Sequence, residues 1–328
     1  LIGGFNHLLE TLGQRETALQ NTLSFQQALM DAVPSPIFYK DAEGVYIGSN
    51  KAFEHYLGKT REQIIGKTVY DISPPDLAER YARADRELIN NPGVQTYEAS
   101  VVYADGTRHD VVFNKATFTD FEGRVAGQIG VILDITERKL AEEQIRQLAF
   151  FDQLTGLPNR RLLTDRLGQS MAASKRSGCF GALMFLDLDN FKPLNDTHGH
   201  EVGDLLLIEV ANRLKRCVRA MDTVSRFGGD EFVVMLSDLS TDQSDATSQA
   251  EIVAEKIRIA LSAPYVLSVA HEGKAPVTVE HQCTVSIGVA TLLDHEATQD
   301  DVLKWADTAM YQAKEAGRNL VRFYAGEA

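Results

Sequence analysis

The sequence predicts an α+β protein built from an N-terminal helix, a small antiparallel sheet with flanking helices, a linker helix, and a second unit whose mostly antiparallel central sheet is surrounded by helices. Three observations predict it. Short apolar runs separated by turn residues fill the stretch from Pro34 to Ile135, amphipathic helical stretches alternate with apolar strands beyond Phe151, and a charged segment without Gly or Pro joins the two. At 328 residues the chain exceeds one ordinary domain, which favours two.

Composition narrows the class. Hydrophobic residues make up 44% and charged residues 24%, ordinary globular values. No run approaches the roughly 20 apolar residues of a membrane helix, so this piece reads as soluble. A net charge of −13 argues against a protein whose main task is gripping nucleic acid. Cys179, Cys217 and Cys283 are far apart and odd in number, which predicts buried free thiols in a reducing compartment rather than disulfides or a zinc site. The chain begins at Leu1 with neither Met nor a signal peptide; the expectation is a cytoplasmic piece of a longer bacterial protein, with a membrane anchor upstream as one option.

Residues 1–25 form the first expected segment. Apolar Phe5, Leu9, Leu12, Leu19, Leu23 and Met30 recur at alternating spacings of four and three, broken by Glu16 and Gln26. That pattern predicts a helix with a two-chain seam; the alternative is a helix packed on its own domain. GGFNHLLETL also resembles the end of the HAMP signalling linkers.

From Pro34 the texture turns to strands. IFYKDAEGVYIGSN reads as a hairpin around residues 41–44, helical pieces follow over 52–65 and 77–89, and three strands come next with turns at 104–106 and 121–123. This order resembles a PAS domain over residues 26–136, with PIFYKDAEGVYIGSNKAF, Gly66 and the closing GVILDITERK in the family's places. The resemblance implies a sensory module for a small ligand, a redox group or a partner domain, and no residue picks one out. His55 and His109 could ligate haem but read as surface or hydrogen-bonded histidines; Phe38, Tyr39, Phe53 and Tyr56 read as core. Residues 137–150 continue as a linker helix, plausible as a short coiled coil. Helices on both sides of the sensor predict a dimeric rod that passes motion between domains.

Residues 151–328 carry the chemistry. The apolar strand 183–186 is expected to break at Asp187-Leu188-Asp189, and a hairpin offers Asp230-Glu231 before its strand. If the two strands pair, Asp187 and Asp230 reach one edge and repel each other unless a cation lies between them. Mg²⁺, with Mn²⁺ as the alternative, takes one or two carboxylates plus substrate phosphates, and Gly228-Gly229 lets backbone N–H groups approach a triphosphate.

FDQLTGLPNR, FLDLDNFKPLNDTHGHEVGD, RFGGDEF, VSIGVA and ADTAMYQAKEAGRN follow in order and resemble the GGDEF domain of diguanylate cyclases, a nucleotidyl-cyclase-like fold. The resemblance implies that two GTP molecules are joined into cyclic di-GMP across a homodimer. By motif, Asp187, Asp230 and the Leu188 carbonyl are metal ligands, and Glu231 is a second-metal or supporting carboxylate. Asn195 and Asp204 read guanine, with His200 shaping the pocket; Lys192, Lys314 and Arg318 meet phosphates. Asp230 is the first choice to assist deprotonation of the 3′-hydroxyl, Glu231 the second and water the third. Arg219 and Asp222 form an RxxD at the spacing of the family's product-inhibition site. A non-catalytic GTP or cyclic di-GMP receptor, signalling through PAS contacts, is the rival reading.

Overall fold

The computed structural model describes residues 2–269, 277–292 and 297–325 in two compact units, Leu1–Glu142 and Glu143–Ala328. Leu1 and residues 326–328, the ends of the expected first and last segments, lie outside the described residues, as do the side chains of Phe5 and Leu9. No helix among the described residues is long and apolar enough to cross a membrane.

The first unit starts with α1 (Ile2–Asp31), which contains no proline to interrupt its backbone hydrogen bonds. Leu12, Leu19 and Leu23 are all more than half exposed, so this stretch of seam is not packed on its own unit. The end of α1 docks. There Gln27 donates to the Ser49 carbonyl and Asp31 accepts from the Lys51 N–H.

The sheet comprises β1 (Ile37–Asp41), β2 (Tyr46–Ser49), β3 (Val94–Val102), β4 (Arg108–Thr119) and β5 (Val125–Asp134), in the order β2-β1-β5-β4-β3 and antiparallel throughout. Between β2 and β3 run α2 (Lys51–Leu57), α3 (Arg61–Ile64), α4 (Val69–Ile72) and α5 (Pro75–Asn90). They cover one face of the sheet through Phe38, Phe53, Ile64, Val111, Phe113 and Ile132. Each such apolar side chain contributes about 1.5–3 kcal/mol on burial. Fully buried Asn50 is the polar staple of this unit. Its Oδ1 accepts from Ile37 and caps α2 at Phe53, while its Nδ2 donates to the carbonyls of Met30, Val33 and Ser35.

One detail of this unit, the place of Tyr39, differs from the sequence reading, and the two histidines agree with it. Tyr39 is only half-buried, because its ring lies flat over Gly48 rather than in the aromatic cluster. His55 is exposed, whereas His109 stacks on Tyr103 and shares hydrogen bonds with Asp134 and Thr107.

Helix α6 (Thr136–Phe150) spans the boundary and buries none of its residues; Leu140, Ile145 and Leu148 are exposed. In the second unit follow α7 (Arg160–Ser177), β6 (Gly181–Asp189), α8 (Phe191–His198), α9 (His200–Cys217), β7 (Thr223–Gly228), β8 (Glu231–Leu236), α10 (Gln243–Ser262), β9 (Tyr265–Val269), β10 (Val277–His281), β11 (Thr284–Leu292), α11 (Gln299–Glu315) and β12 (Val321–Phe323). The main sheet runs β12-β11-β6-β8-β7, with only β12 parallel to its neighbour; β9 and β10 form a separate hairpin.

Strand β6 does not break at Asp187. All nine of its residues are buried, since β11 and β8 pair on its two edges and helices cover both faces. Leu186 and Leu188 join a core with α9 and α10, while Leu183 and Phe185 face α7 and α11. Cys217 and Cys283 are buried; Cys179 is partly exposed, because it follows the glycine that ends α7.

Candidate functional site

The register of the central strands builds the acidic cluster. Asp187 of β6 lies opposite Glu231 of β8, and the Leu188 N–H points at the Asp230 carbonyl at 3.4 Å. Alternation puts Asp187 on the α11 side of the sheet, where the Lys314 ammonium reaches its Oδ2 at 2.7 Å. Burial pushes the Asp187 carboxyl above the usual range, Lys314 opposes this, and the charges of Asp230 and Asp189 add to the rise. Glu231 is raised as well, by burial first and then by Asp187, Asp307 and Asp230. Asp187, Asp230 and Glu231 are therefore close enough to repel one another.

Between β7 and β8 the turn is Gly228-Gly229-Asp230, and Gly229 at φ +53° occupies a region other residues avoid. The turn is clamped from outside. Arg226 donates from Nε and Nη2 to the Gly229 carbonyl at 3.0 and 2.7 Å, and from Nη1 to both oxygens of Asp152 at 3.1 Å. This bidentate anchor was not recognised in the sequence, although an arginine just ahead of the glycine pair was the available signal.

Asp189, two residues beyond Asp187, has a supporting part that its sequence position does not reveal. Almost wholly buried, it accepts from Thr284 at 2.7 Å, from Ser286 at 2.8 Å and from the Asn319 N–H at 3.1 Å. It thereby holds the loop in which Arg318 and Asn319 adopt positive φ and Arg318 stands exposed.

Asn195 lies on α8 and Asp204 on α9, two helices that adjoin at Gly199. The Asn195 side chain fills the space where a Cβ on Gly203 would stand, beside exposed Asp204. Asn195 Oδ1 is buried and lacks a hydrogen-bond partner. Lys192 and His200 are exposed at the starts of α8 and α9, and among the described residues neither bonds to the acidic cluster. Arg219 and Asp222 form a turn of their own. The Arg219 N–H donates to Asp222 Oδ2 at 2.8 Å and the Asp222 N–H to the Arg219 carbonyl at 3.1 Å, leaving Arg219 exposed.

Among the described residues no three His, Cys, Asp or Glu side chains gather as a ready set of metal ligands. The mutually repelling acids with one cation on Asp187 suit Mg²⁺ instead, which needs one or two carboxylates and completes its shell with water and phosphate oxygens. Asp187, Asp230 and the Leu188 carbonyl would hold it, with Glu231 beside them.

A family model described as diguanylate cyclase, GGDEF domain, matches residues 149–320, and a PAS fold model matches residues 30–140. The bifunctional diguanylate cyclase/cyclic di-GMP phosphodiesterase MucR of Pseudomonas aeruginosa is 42% identical over 184 residues, covering 56% of this chain and 25% of MucR. The cyclic di-GMP phosphodiesterase PdeR of Escherichia coli is 30% identical over 309 residues, covering 92% of this chain and 43% of PdeR. The coiled coil and GGDEF domain of DgcB from Caulobacter crescentus, a structure in complex with c-di-GMP, is 29% identical with a TM-score of 0.49, covering 58% of this chain and 93% of that one. This chain thus spans from a quarter to a little over two fifths of the length of these two curated relatives.

Proposed function

This chain belongs to the GGDEF diguanylate cyclase family and carries a PAS fold ahead of that domain, and from this premise we propose that it condenses two GTP molecules into cyclic di-GMP with release of two pyrophosphates. The observation that carries the reading is the meeting of Asp187, Asp230 and Glu231 at one end of the central strands, beside a glycine turn and under Lys314.

Bound Mg²⁺ would neutralise phosphate charge and acidify the attacking hydroxyl. The rest falls to the chain's own groups. Lys314, Arg318 and Lys192 hold phosphate oxygens, and the Gly228-Gly229 backbone lets the triphosphate approach. Asn195 Oδ1, buried without a donor, and the Asp204 carboxylate accept from the N1–H and 2-amino edge that marks guanine, in a pocket flanked by His200. The 3′-hydroxyl of one GTP attacks the α-phosphorus of the other in line, its proton passing to Asp230, or else to Glu231 or water, as pyrophosphate leaves.

One domain holds one GTP, so turnover needs a homodimer. The exposed leucines of α1 and the exposed apolar residues of α6 supply faces for it, with the PAS unit between. The PAS unit controls the approach of the two cyclase domains, and cyclic di-GMP bound at Arg219 and Asp222 restrains it.

A non-catalytic receptor is the second reading. It is favoured by PdeR, which matches along 92% of this chain and is named as a phosphodiesterase. Incubation with GTP and Mg²⁺ followed by chromatographic identification of products decides between them. Cyclic di-GMP supports the cyclase, and absence of turnover in a verified dimer supports the receptor.

A further inference from the structure

Arg318 stands in a backbone conformation that arginine rarely adopts. Just beyond α11, Gly317, Arg318 and Asn319 follow one another at φ +119°, +62° and +50°. Glycine takes such angles freely and asparagine tolerates them, whereas the Cβ of arginine crowds its own backbone there. Strain of this kind persists only where the surroundings impose it, and it gathers at working sites.

Contacts from α11, β6 and α10 impose it here. The Arg318 N–H donates to the Ala313 carbonyl at 3.1 Å, closing the end of α11. The Asn319 N–H donates to Asp189 Oδ2 at 3.1 Å, a carboxylate that Thr284 and Ser286 anchor in turn. The Asn319 side chain is held from α10: Arg258 Nη1 donates to its Oδ1 at 3.0 Å, the Ser262 hydroxyl lies 3.2 Å from the same oxygen, and Glu255 secures the Arg258 Nε at 2.9 Å. Asn319 is therefore fixed at main chain and side chain. Among the described residues the exposed Arg318 guanidinium bonds to nothing. Strand β6 thus governs both cations beyond it, Lys314 through Asp187 and the turn of Arg318 through Asp189.

We infer that Asn319 is the positioning residue of Arg318: its N–H on Asp189 and its amide oxygen on Arg258 hold the left-handed turn that presents the Arg318 guanidinium to the triphosphate. The inference rests on the proposed role of Arg318 at the phosphates and adds the residues that aim it. Asparagine suits the place twice over, since it tolerates the left-handed angle and its carbonyl oxygen is the acceptor that Arg258 meets.

The test is calorimetric titration of the full chain with Mg²⁺ and the α,β-methylene analogue of GTP, which binds without being cleaved, repeated with the same analogue of ATP. Asn319→Gly allows the turn but releases the side-chain contact. It should weaken the GTP analogue by about tenfold or more, the scale of a hydrogen bond to a charged group, with the preference over the ATP analogue unchanged. Partial unfolding would instead lower the binding stoichiometry and leave the affinity of the folded fraction intact. Arg318→Ala should lose a similar factor, and the double variant no more than Arg318→Ala alone, because Asn319 acts through that guanidinium. Asn319→Asp keeps an acceptor for Arg258 and should bind as the wild type does. Unchanged affinity in Asn319→Gly overturns the inference, as does further loss in the double variant or equal loss in Asn319→Asp; unchanged affinity in Arg318→Ala overturns it together with the phosphate role of that residue. If the binding results hold while GTP yields no cyclic di-GMP, the inference stands and the cyclase reading falls.

Discussion

Gly288→Ala tests how tightly the active face is built. Gly288 of β11 lies opposite Phe185 of β6, and the backbone of α11 crosses directly over it. A Cβ there would stand 2.0 Å from the Ala306 carbonyl oxygen and 2.1 Å from the Met310 nitrogen, backbone atoms that no rotamer change can move. Ordinary contact begins at 3.4 Å, so α11 must retreat by about 1.4 Å, the difference between 3.4 and 2.0. Overpacking of this kind costs about 1–3 kcal/mol, which in a unit of this size lowers the melting temperature by about 2–12 °C. The same retreat would stretch the 2.7 Å Lys314–Asp187 contact to about 4 Å, beyond hydrogen-bonding reach. Misplacement by about 1 Å at a reacting centre costs about 100-fold in rate. Thermal unfolding and the initial rate of pyrophosphate release from GTP are the assays. An unchanged melting temperature together with unchanged turnover would refute the steric argument.

Three further outcomes are expected. Asp204→Ala should lose about 10- to 100-fold in preference for GTP over ATP while metal dependence stays the same, measured by competition binding; equal loss of nucleotide selectivity and metal affinity would remove Asp204 from guanine reading. Arg219→Ala should relieve inhibition by cyclic di-GMP without lowering the uninhibited rate, and an unchanged inhibition constant would sink that site. Lys40, lowered by burial to about 8 against an ordinary 10.5, releases its proton in the folded state while the unfolded chain still holds it. Its contribution to stability therefore rises with pH between about 8 and 10.5. Urea midpoints at either end of that window should show the rise in the wild type relative to Lys40→Met; parallel profiles would contradict it.

Much of the fold could be read locally. The turns at 41–44, 104–106 and 121–123 separate strands in the structure as their residues predict, and α5 starts at Pro75, where proline suits a first helical turn. The acids 230 and 231 were legible because carboxylates beside a glycine pair at a strand end are costly without a cation to face, and Asp187 because it interrupts an apolar run. Strands β9, β10 and β12 and the full length of β6 were not legible, since pairing partners far along the chain set them. Asp187 sits within a strand because β8 and β11 flank it, whatever its own weak strand preference.

What the sequence determined by itself was the order of elements, the acidic residues beside the glycine pair, and the family to which the motif spacing belongs. Tertiary structure alone decided that Lys314 lies on Asp187, that Arg226 joins Asp152 to the glycine turn, that Asp189 fixes the loop of Arg318, and that two lysines share one carboxylate inside the PAS unit. The reason is physical: periodicity and propensity act over a few residues, whereas an ion pair or buried hydrogen bond depends on which distant segments the folded core brings within about 3 Å of each other.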